Sequence, residues 1–186
     1  MSATILCVDD DPVVLAVLAR ILRRDGLDIR TTESPTDALA WIANDDIAVL
    51  VSDYEMPEMT GAQLAGQAKK LRPETVRVLL TGQKDLETAV DGINQGEVFR
   101  FVSKPFEHAH LREVIAAALE RHYELSEIAG YRASRERNRE LRAAVEQDYP
   151  GITAVRRNER ARYVVTDPVE LAKTMELDGV ARLFDK

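Results

Sequence analysis

Short runs of β-branched and aromatic residues recur along the first 110 positions, separated by longer stretches with helical periodicity. Such runs are typical of buried strands, since both faces of each strand then meet apolar side chains. Alternation of strands and helices favours a parallel sheet with helices on both faces. The pattern therefore predicts an α/β fold with a five-stranded, doubly wound parallel sheet. The predicted strands are Ile5–Val8, Ile29–Thr31, Ile47–Val51, Val76–Leu80 and Val98–Val102.

The helices between these strands carry recognisable end signals. Apolar residues at helical spacing predict a first helix over Pro12–Asp25, and Gly26 supplies a left-handed cap. Caps are also predicted for the next three helices, because Ser, Thr and Asp accept hydrogen bonds from free amides of the first turn. These caps are Ser34 followed by Pro35, Thr60 paired with Gln63, and Asp85.

Composition narrows the class of protein. The 186 residues are 45% hydrophobic, which is enough for a folded core. The longest apolar stretches hold about five residues, whereas a membrane span needs about 20, and the acidic start predicts no secretory signal. A single cysteine, Cys7, excludes a disulfide framework. We therefore expect a cytoplasmic protein with no membrane partner.

The charge is concentrated in one part of the chain. Residues 1–110 contain 11 basic and 18 acidic side chains, whereas residues 111–186 contain 14 of each. An acidic domain is poorly suited to bind nucleic acid through a basic face. It is better suited to hold a divalent cation or to meet a basic partner.

Polar residues follow four of the predicted strands. Asp9, Asp10 and Asp11 come after the first strand and Asp53 after the third, while Thr81 and Lys104 end the fourth and fifth. The carboxyl ends of parallel strands lie at one edge of the sheet, where ligands bind. Crowded carboxylates repel one another and favour a cation, and Mg²⁺ prefers such oxygen ligands. A lysine and a hydroxyl beside them suit a phosphoryl group.

Taken together, these features resemble the receiver domain of two-component response regulators. Four stretches carry the resemblance over about the first 120 residues: ILCVDDDPVVLAVLARILRRDG, VLVSDYEMPEMTG, VRVLLTG and FRFVSKPF. The last of them lies in a segment that is similar to receivers of multidomain regulators. The resemblance implies a flavodoxin-like receiver domain over residues 1–122.

The resemblance also implies a role for individual residues. Asp53 matches the aspartate that becomes phosphorylated. Asp9 and Asp10 match the acidic pair that holds Mg²⁺ together with Asp53, with Asp10 the more direct ligand. The backbone carbonyl of Glu55 matches a further metal ligand.

Other residues match the parts that respond to the phosphoryl group. Thr81 matches the switch hydroxyl, Lys104 the lysine that pairs with the phosphoryl group, and Pro105 the proline after it, often joined through a cis bond. Phe101 matches the switch aromatic; because it is not Tyr, a hydrogen-bonded inward state is not available. The alternative is that Phe101 is an ordinary core residue of the fifth strand.

By this resemblance the protein is a phospho-acceptor rather than an enzyme, with at most slow self-dephosphorylation. Glu55 and Gln83 occupy positions that tune that reaction in receivers. The phosphodonor would be a histidine kinase or a phosphotransfer protein. Phosphorylation would change protein–protein contacts at the face formed by the fourth predicted helix, the fifth strand and the fifth helix.

The last 76 residues do not match the receiver pattern. Glu107–Asp148 predicts one long helix of about 60 Å at 1.5 Å per residue. A heptad-like seam favours a homodimer through this helix, with residues 123–148 as a coiled-coil extension of the receiver. The alternative is a final receiver helix followed by a solvated charged helix. The seam consists of Leu111, Ile115, Ala118, His122, Leu125 and Ala129, and we interpret the three histidines of this region, His108, His110 and His122, as surface residues.

Residues 149–186 predict a small tail. Ile152–Arg157 and Arg162–Thr166 favour a hairpin, and a short helix follows from Asp167 to Asp178. Arg156 and Arg160 form a bare R-x-x-x-R, a pattern found in some cyclic-dinucleotide sites, but most simply a solvated turn.

Two other functions fit parts of the chain. A haloacid-dehalogenase-like phosphatase would use Asp9 and Asp11 as its D-x-D motif. It leaves the segment around Asp53 unexplained. A DNA-binding regulator would use the arginine-rich stretch 132–142, although Glu136 and Glu140 interrupt its positive charge.

Overall fold

A computed structural model of the chain describes residues 3–23, 27–82 and 98–148. Five parallel strands form one sheet in the order β2-β1-β3-β4-β5, which confirms the predicted fold class. The strands are β1 (Thr4–Val8), β2 (Asp28–Thr32), β3 (Ile47–Asp53), β4 (Val76–Thr81) and β5 (Arg100–Ser103). The described helices are α1 (Pro12–Leu22), α2 (Pro35–Asn44), α3 (Gly61–Leu71) and α4 (His108–Asp148).

The strand order places the candidate residues at one edge of the sheet. After β1 the chain forms β2 on one side of it, and β3 then pairs on the other side. The register aligns the carboxyl ends: Val8 lies opposite Ser52, Asp53 opposite Leu80, and Thr81 opposite Ser103. In sheets of this kind, the point where the strand order reverses is where ligands bind. Here that point lies between the ends of β1 and β3.

Apolar side chains on the two faces of the sheet form two core clusters. In β1, Ile5 and Cys7 belong to the cluster that includes residues of α1 and α4, and Leu6 and Val8 to the cluster of α2 and α3. This alternation follows from the two-residue period of a strand. Both faces are therefore covered, as expected of a parallel sheet.

Most element boundaries lie within one residue of the sequence prediction, but three differ by more. The third strand continues to Asp53, two residues beyond its predicted end at Val51. The helix predicted over Pro12–Asp25 ends at Leu22, where the Arg23 N–H bonds to the Ala19 carbonyl as a C-cap. The fifth strand begins at Arg100, two residues later than predicted, because its ladder with β4 starts where Arg100 faces Val78. The capping box of Thr60 and Gln63 at α3 is confirmed.

Five of the six positions of the predicted helical seam are buried or packed against the protein's own core. Leu111, Ile115 and Ala118 are at most 2% exposed and belong to the α1-side cluster, and Leu125 packs partly buried against it. His122 is 7% exposed, so its interpretation as a surface residue is wrong, whereas His108 and His110 are exposed. This seam therefore covers the sheet and is not open to a second subunit.

The chain separates into two units, Met1–Ala133 and Ser134–Lys186, and the structure describes residues 134–148 of the second. None of the described helices combines the length and apolarity that a bilayer crossing requires. Several predictions lie outside the described residues: the roles of Gln83 and Asp85, the hairpin of 152–166, the helix of 167–178, and the pair Arg156 and Arg160.

Candidate functional site

Three strand ends bring an amine and two carboxylates together. The Lys104 Nζ, directly after β5, lies 2.8 Å from Asp9 Oδ2 and 2.8 Å from Asp53 Oδ1. Asp9 follows β1, and Asp53 is the last residue of β3. Lysine thus bridges two acids that are 44 residues apart in sequence. The predicted convergence of Asp9, Asp53 and Lys104 is observed.

Asp9 is the most deeply placed of the acids, with a residue exposure of 1%. Its Oδ1 accepts a hydrogen bond of 3.0 Å from the Asp11 N–H, and its Oδ2 pairs with Lys104. A buried carboxylate is costly unless it is paired in this way. The Asp11 carboxylate has a different task, since its Oδ1 accepts from the Val13 N–H at 2.8 Å and caps α1.

The acids could accommodate a cation. Single carboxylate oxygens of Asp9, Asp10 and Asp53 all lie within 4.8 Å of one another, and Asp10 is the exposed member. The Lys104 ammonium pairs with two of these three carboxylates, so the cluster keeps excess negative charge. An all-oxygen donor set with an exposed side suits Mg²⁺, which retains several waters when bound. The residues present therefore fit the metal that the sequence predicts.

The remaining predicted residues lie on, or within two residues of, β3, β4 and β5. Thr81 is fully buried and its Oγ1 donates to the Gly82 carbonyl at 3.0 Å. The Lys104 N–H donates to the Thr81 carbonyl at 2.7 Å, which joins the ends of β4 and β5. The Lys104–Pro105 peptide is cis. Phe101 is half-buried, and Glu55 is exposed directly beyond β3.

Burial and pairing shift the ionisation of the central pair. Burial raises the pKa of Asp53 above its ordinary value, and the nearby charge of Asp9 adds to this, although the bond with Lys104 opposes it. The pKa of Lys104 is also raised: burial alone would lower it, but the hydrogen bonds and charges of Asp53 and Asp9 outweigh burial. The ammonium is therefore held in its charged form.

Two positioning features were not predicted from the sequence. The Ser52 Oγ donates to the Asp53 carbonyl at 2.8 Å. A Cβ added to Gly61 would lie 2.1 Å from that same carbonyl oxygen, so only glycine fits at the start of α3. The Gly61 N–H also bonds to the Tyr54 carbonyl, which closes the loop that follows Asp53. In the sequence, the glycine directly after the N-cap Thr60 is the signal that the backbone at Gly61 approaches the Asp53 carbonyl closely.

Comparison with known proteins shows which family the chain belongs to. The model of the response regulator receiver domain matches residues 5–116, which include Asp9, Asp53 and Lys104. The chain belongs to this family. The receiver is a signalling domain of two-component systems, in general without enzymatic activity of its own, and the flavodoxin-like receiver fold expected from the sequence is confirmed.

Two solved structures share this fold along nearly their whole length. The response regulator receiver domain protein of Clostridium thermocellum is 30% identical, with a TM-score of 0.62, over 66% of this chain and 98% of that one. A structure described as adenylate cyclase from Rhodopirellula baltica is 34% identical, with a TM-score of 0.67, over 70% of this chain and 97% of that one.

Curated relatives are much longer than the matched region. The DNA-binding transcriptional regulator NtrC of Azospirillum brasilense is 34% identical over 118 residues, which are 63% of this chain and 24% of that protein. The chain spans about a quarter of the length of the curated relatives it matches. The shared part is the receiver.

Proposed function

We propose that this receiver accepts a phosphoryl group on Asp53 from the phosphohistidine of a histidine kinase or a phosphotransfer protein. An Asp53 oxygen forms the new O–P bond while the P–N bond breaks, and the imidazole keeps that electron pair. The observation that carries the proposal is the single Lys104 ammonium within 2.8 Å of both Asp9 and Asp53. It provides positive charge where phosphoryl oxygens would arrive.

Asp9, Asp10 and Asp53 would hold Mg²⁺, with the Glu55 carbonyl as a further ligand. This part is supported by the spacing of the three carboxylates, whose oxygens lie within 4.8 Å of one another. When bound, the metal would neutralise charge on the transferring group. Lys104 keeps the buried Asp9 carboxylate paired throughout, and the close backbone around Gly61 fixes the position of Asp53.

The output of the domain would be a change of packing at the edge of the sheet. Phosphorylation adds nearly two negative charges, to which the Thr81 hydroxyl and Lys104 would respond, with Phe101 following. Such a signal works by favouring one of two existing arrangements. The contacts that change would lie on the face formed by β5, α4 and the helix predicted after Asp85.

We further propose a downstream protein partner, a homodimer through the part of α4 beyond residue 122, and a cytoplasmic location. Support for the dimer is the exposure of large apolar side chains there, such as Tyr123 at 56% and Leu141 at 63%. Support for the location is the single cysteine of the sequence.

The first prediction tests the phospho-acceptor. Asp53→Asn keeps the size of the side chain but removes the nucleophilic carboxylate. We expect it to abolish Mg²⁺-dependent labelling by a small-molecule acyl phosphate, measured as a mass increase of the intact protein. The control is Asp37→Asn, an exposed acid in the first turn of α2, which should be labelled like the unaltered chain. Equal labelling of both variants would disprove the assignment.

The two rival functions are less well supported. A dehalogenase-like phosphatase requires Asp11 as a proton donor or acceptor, but its carboxylate caps α1. That rival predicts labelling of Asp9 instead of Asp53, which peptide mapping distinguishes.

The second rival function is DNA binding, which is named for relatives such as NtrC, of which the chain matches 24%. A salt-sensitive mobility shift with duplex DNA would support it.

A further inference from the structure

The helix α4 carries two oppositely charged segments beyond residue 116, where the match to the receiver family ends. Residues 120–128, here called the acidic segment, contain three glutamates and one arginine, a net charge of −2. Residues 132–142, the basic segment, contain five arginines and two glutamates, a net charge of +3. Both lie within α4, which runs from His108 to Asp148.

The acidic segment presents apolar and acidic side chains together. Glu120, Tyr123, Glu127 and Ile128 are all exposed, with Tyr123 at 56% and Ile128 at 46%. Residues three and four apart lie on one face of a helix, so these four form a continuous patch. The opposite face is used inside the domain, because Ala118 and His122 are buried. The patch is thus separate from the packing that fixes α4 on the sheet.

The basic segment and the residues after it present a matching patch. Leu141 is 63% exposed and Val145 is 39% exposed. Asn138 and Arg142 lie beside them, three or four residues away on the same face of the helix. Arg137 and Arg142 are exposed, and Arg137 is one helical turn before Leu141, on the same face. This patch is therefore apolar with basic flanks.

We propose that the occupant of these patches is a second copy of this chain, paired so that each acidic segment lies against the other copy's basic segment. This arrangement is antiparallel, and it deepens the dimer of the proposed function, on which it rests. Two complementary contacts would form per dimer, whereas a parallel pair would place like charges opposite each other along both segments. Like charges at such positions are destabilising, and opposite charges select orientation.

Charge reversal in either segment provides the test, using the full chain. One variant carries Glu120→Lys and Glu127→Lys, the second carries Arg137→Glu and Arg142→Glu, and the third combines all four changes. Each is measured by sedimentation equilibrium, with circular dichroism to confirm that the helix content and the melting of the receiver are kept. We expect each two-residue variant to raise the dimer dissociation constant by at least about tenfold, since each reversal acts twice in a symmetric dimer.

The combined variant is decisive. In the antiparallel arrangement it restores opposite charges at both contacts, so its dissociation constant should return to within about threefold of the unaltered chain. The antiparallel pairing would be overturned if the unaltered chain and the three variants dimerised with equal affinity. It would also be overturned if the combined variant dimerised more weakly than either two-residue variant. Self-association itself would stand in both cases. A monomer at every concentration would refute the dimer itself. Labelling of Asp53 in the same samples reports separately on the phospho-acceptor.

Discussion

At the scale of single residues, the position of Asp53 depends on Gly61, because only a residue without a side chain fits against the Asp53 carbonyl. A Cβ on Gly61 would lie 2.1 Å from the Asp53 carbonyl oxygen and 3.1 Å from a Leu79 methyl. Backbone cannot move aside as a flexible side chain can. We expect Gly61→Ala to lower the free energy of unfolding by about 2 to 3 kcal/mol, measured by urea denaturation, and to reduce Asp53 labelling.

Gly130 is the matched control for that change. It lies within α4, and a Cβ added there meets no atom within 4 Å. Alanine has a higher helix propensity, so Gly130→Ala should raise the free energy of unfolding, by up to about 1 kcal/mol. Opposite signs for the same substitution would identify the close approach at Gly61 as the cause. If both substitutions changed the free energy of unfolding only slightly, the loop after Asp53 would be shown to adapt to the added methyl group.

At the scale of elements, signals from neighbouring residues predicted where a helix or strand lies. They were less informative about which distant residues it contacts. The capping box at Thr60 and the proline at the start of α1 are properties of neighbouring residues, and both were predicted correctly. The contact between Lys104 and Asp9 joins residues 95 apart, and only the rule that parallel strands end at one edge indicated it. His122 was misjudged because its hydrogen-bond partner, the Glu74 carbonyl, is 48 residues away.

His122 attaches α4 to the turn that precedes β4. Its Nδ1 lies 2.9 Å from the Glu74 carbonyl oxygen, and because a carbonyl only accepts, this nitrogen carries the hydrogen. His122→Ala would leave that carbonyl without this donor and open a small void. We expect a loss of about 2 kcal/mol in the free energy of unfolding, whereas the exposed His110→Ala should change it by less than about 0.5 kcal/mol. Equal losses would contradict the role of the contact.

At the scale of the whole molecule, the sheet interior protects the chain's single thiol. Cys7 is fully buried in β1 and faces Thr31 of β2 and Val51 of β3. Burial raises its pKa to about 12, with the charge of Asp9 adding to the effect. We expect alkylation by iodoacetamide at pH 8 to be at least about 10³-fold slower in the native protein than in denaturant. Comparable rates would show that β1 opens locally.

The same pKa has a consequence for stability against pH. The folded state keeps the Cys7 thiol protonated, whereas the unfolded chain ionises near the ordinary value of 9.0. The contribution of this group is therefore complete below about pH 9. It is lost as the pH rises from there to about 12, because only the unfolded chain then releases the proton. A Cys7→Ala variant, which cannot titrate, should lack this part of the decline.

The sequence was more informative about the sheet than about the end of the chain. The run Ile47–Val51 is apolar on both faces, as a strand covered on both sides requires, and all five of these residues are buried in β3. In α4 the apolar positions had two possible uses, covering the sheet or contacting another subunit, and the spacing is the same for both. Only the packing of Leu111 and Ile115 against the α1-side cluster separates them.

The burial of Cys7 also determines how disulfide-linked oligomers of this protein should be interpreted. Because its one thiol is buried within the sheet, a folded copy has no accessible thiol with which to form a disulfide. Disulfide-linked species on a non-reducing gel would consequently be a signature of chains that had opened, and not of a native complex.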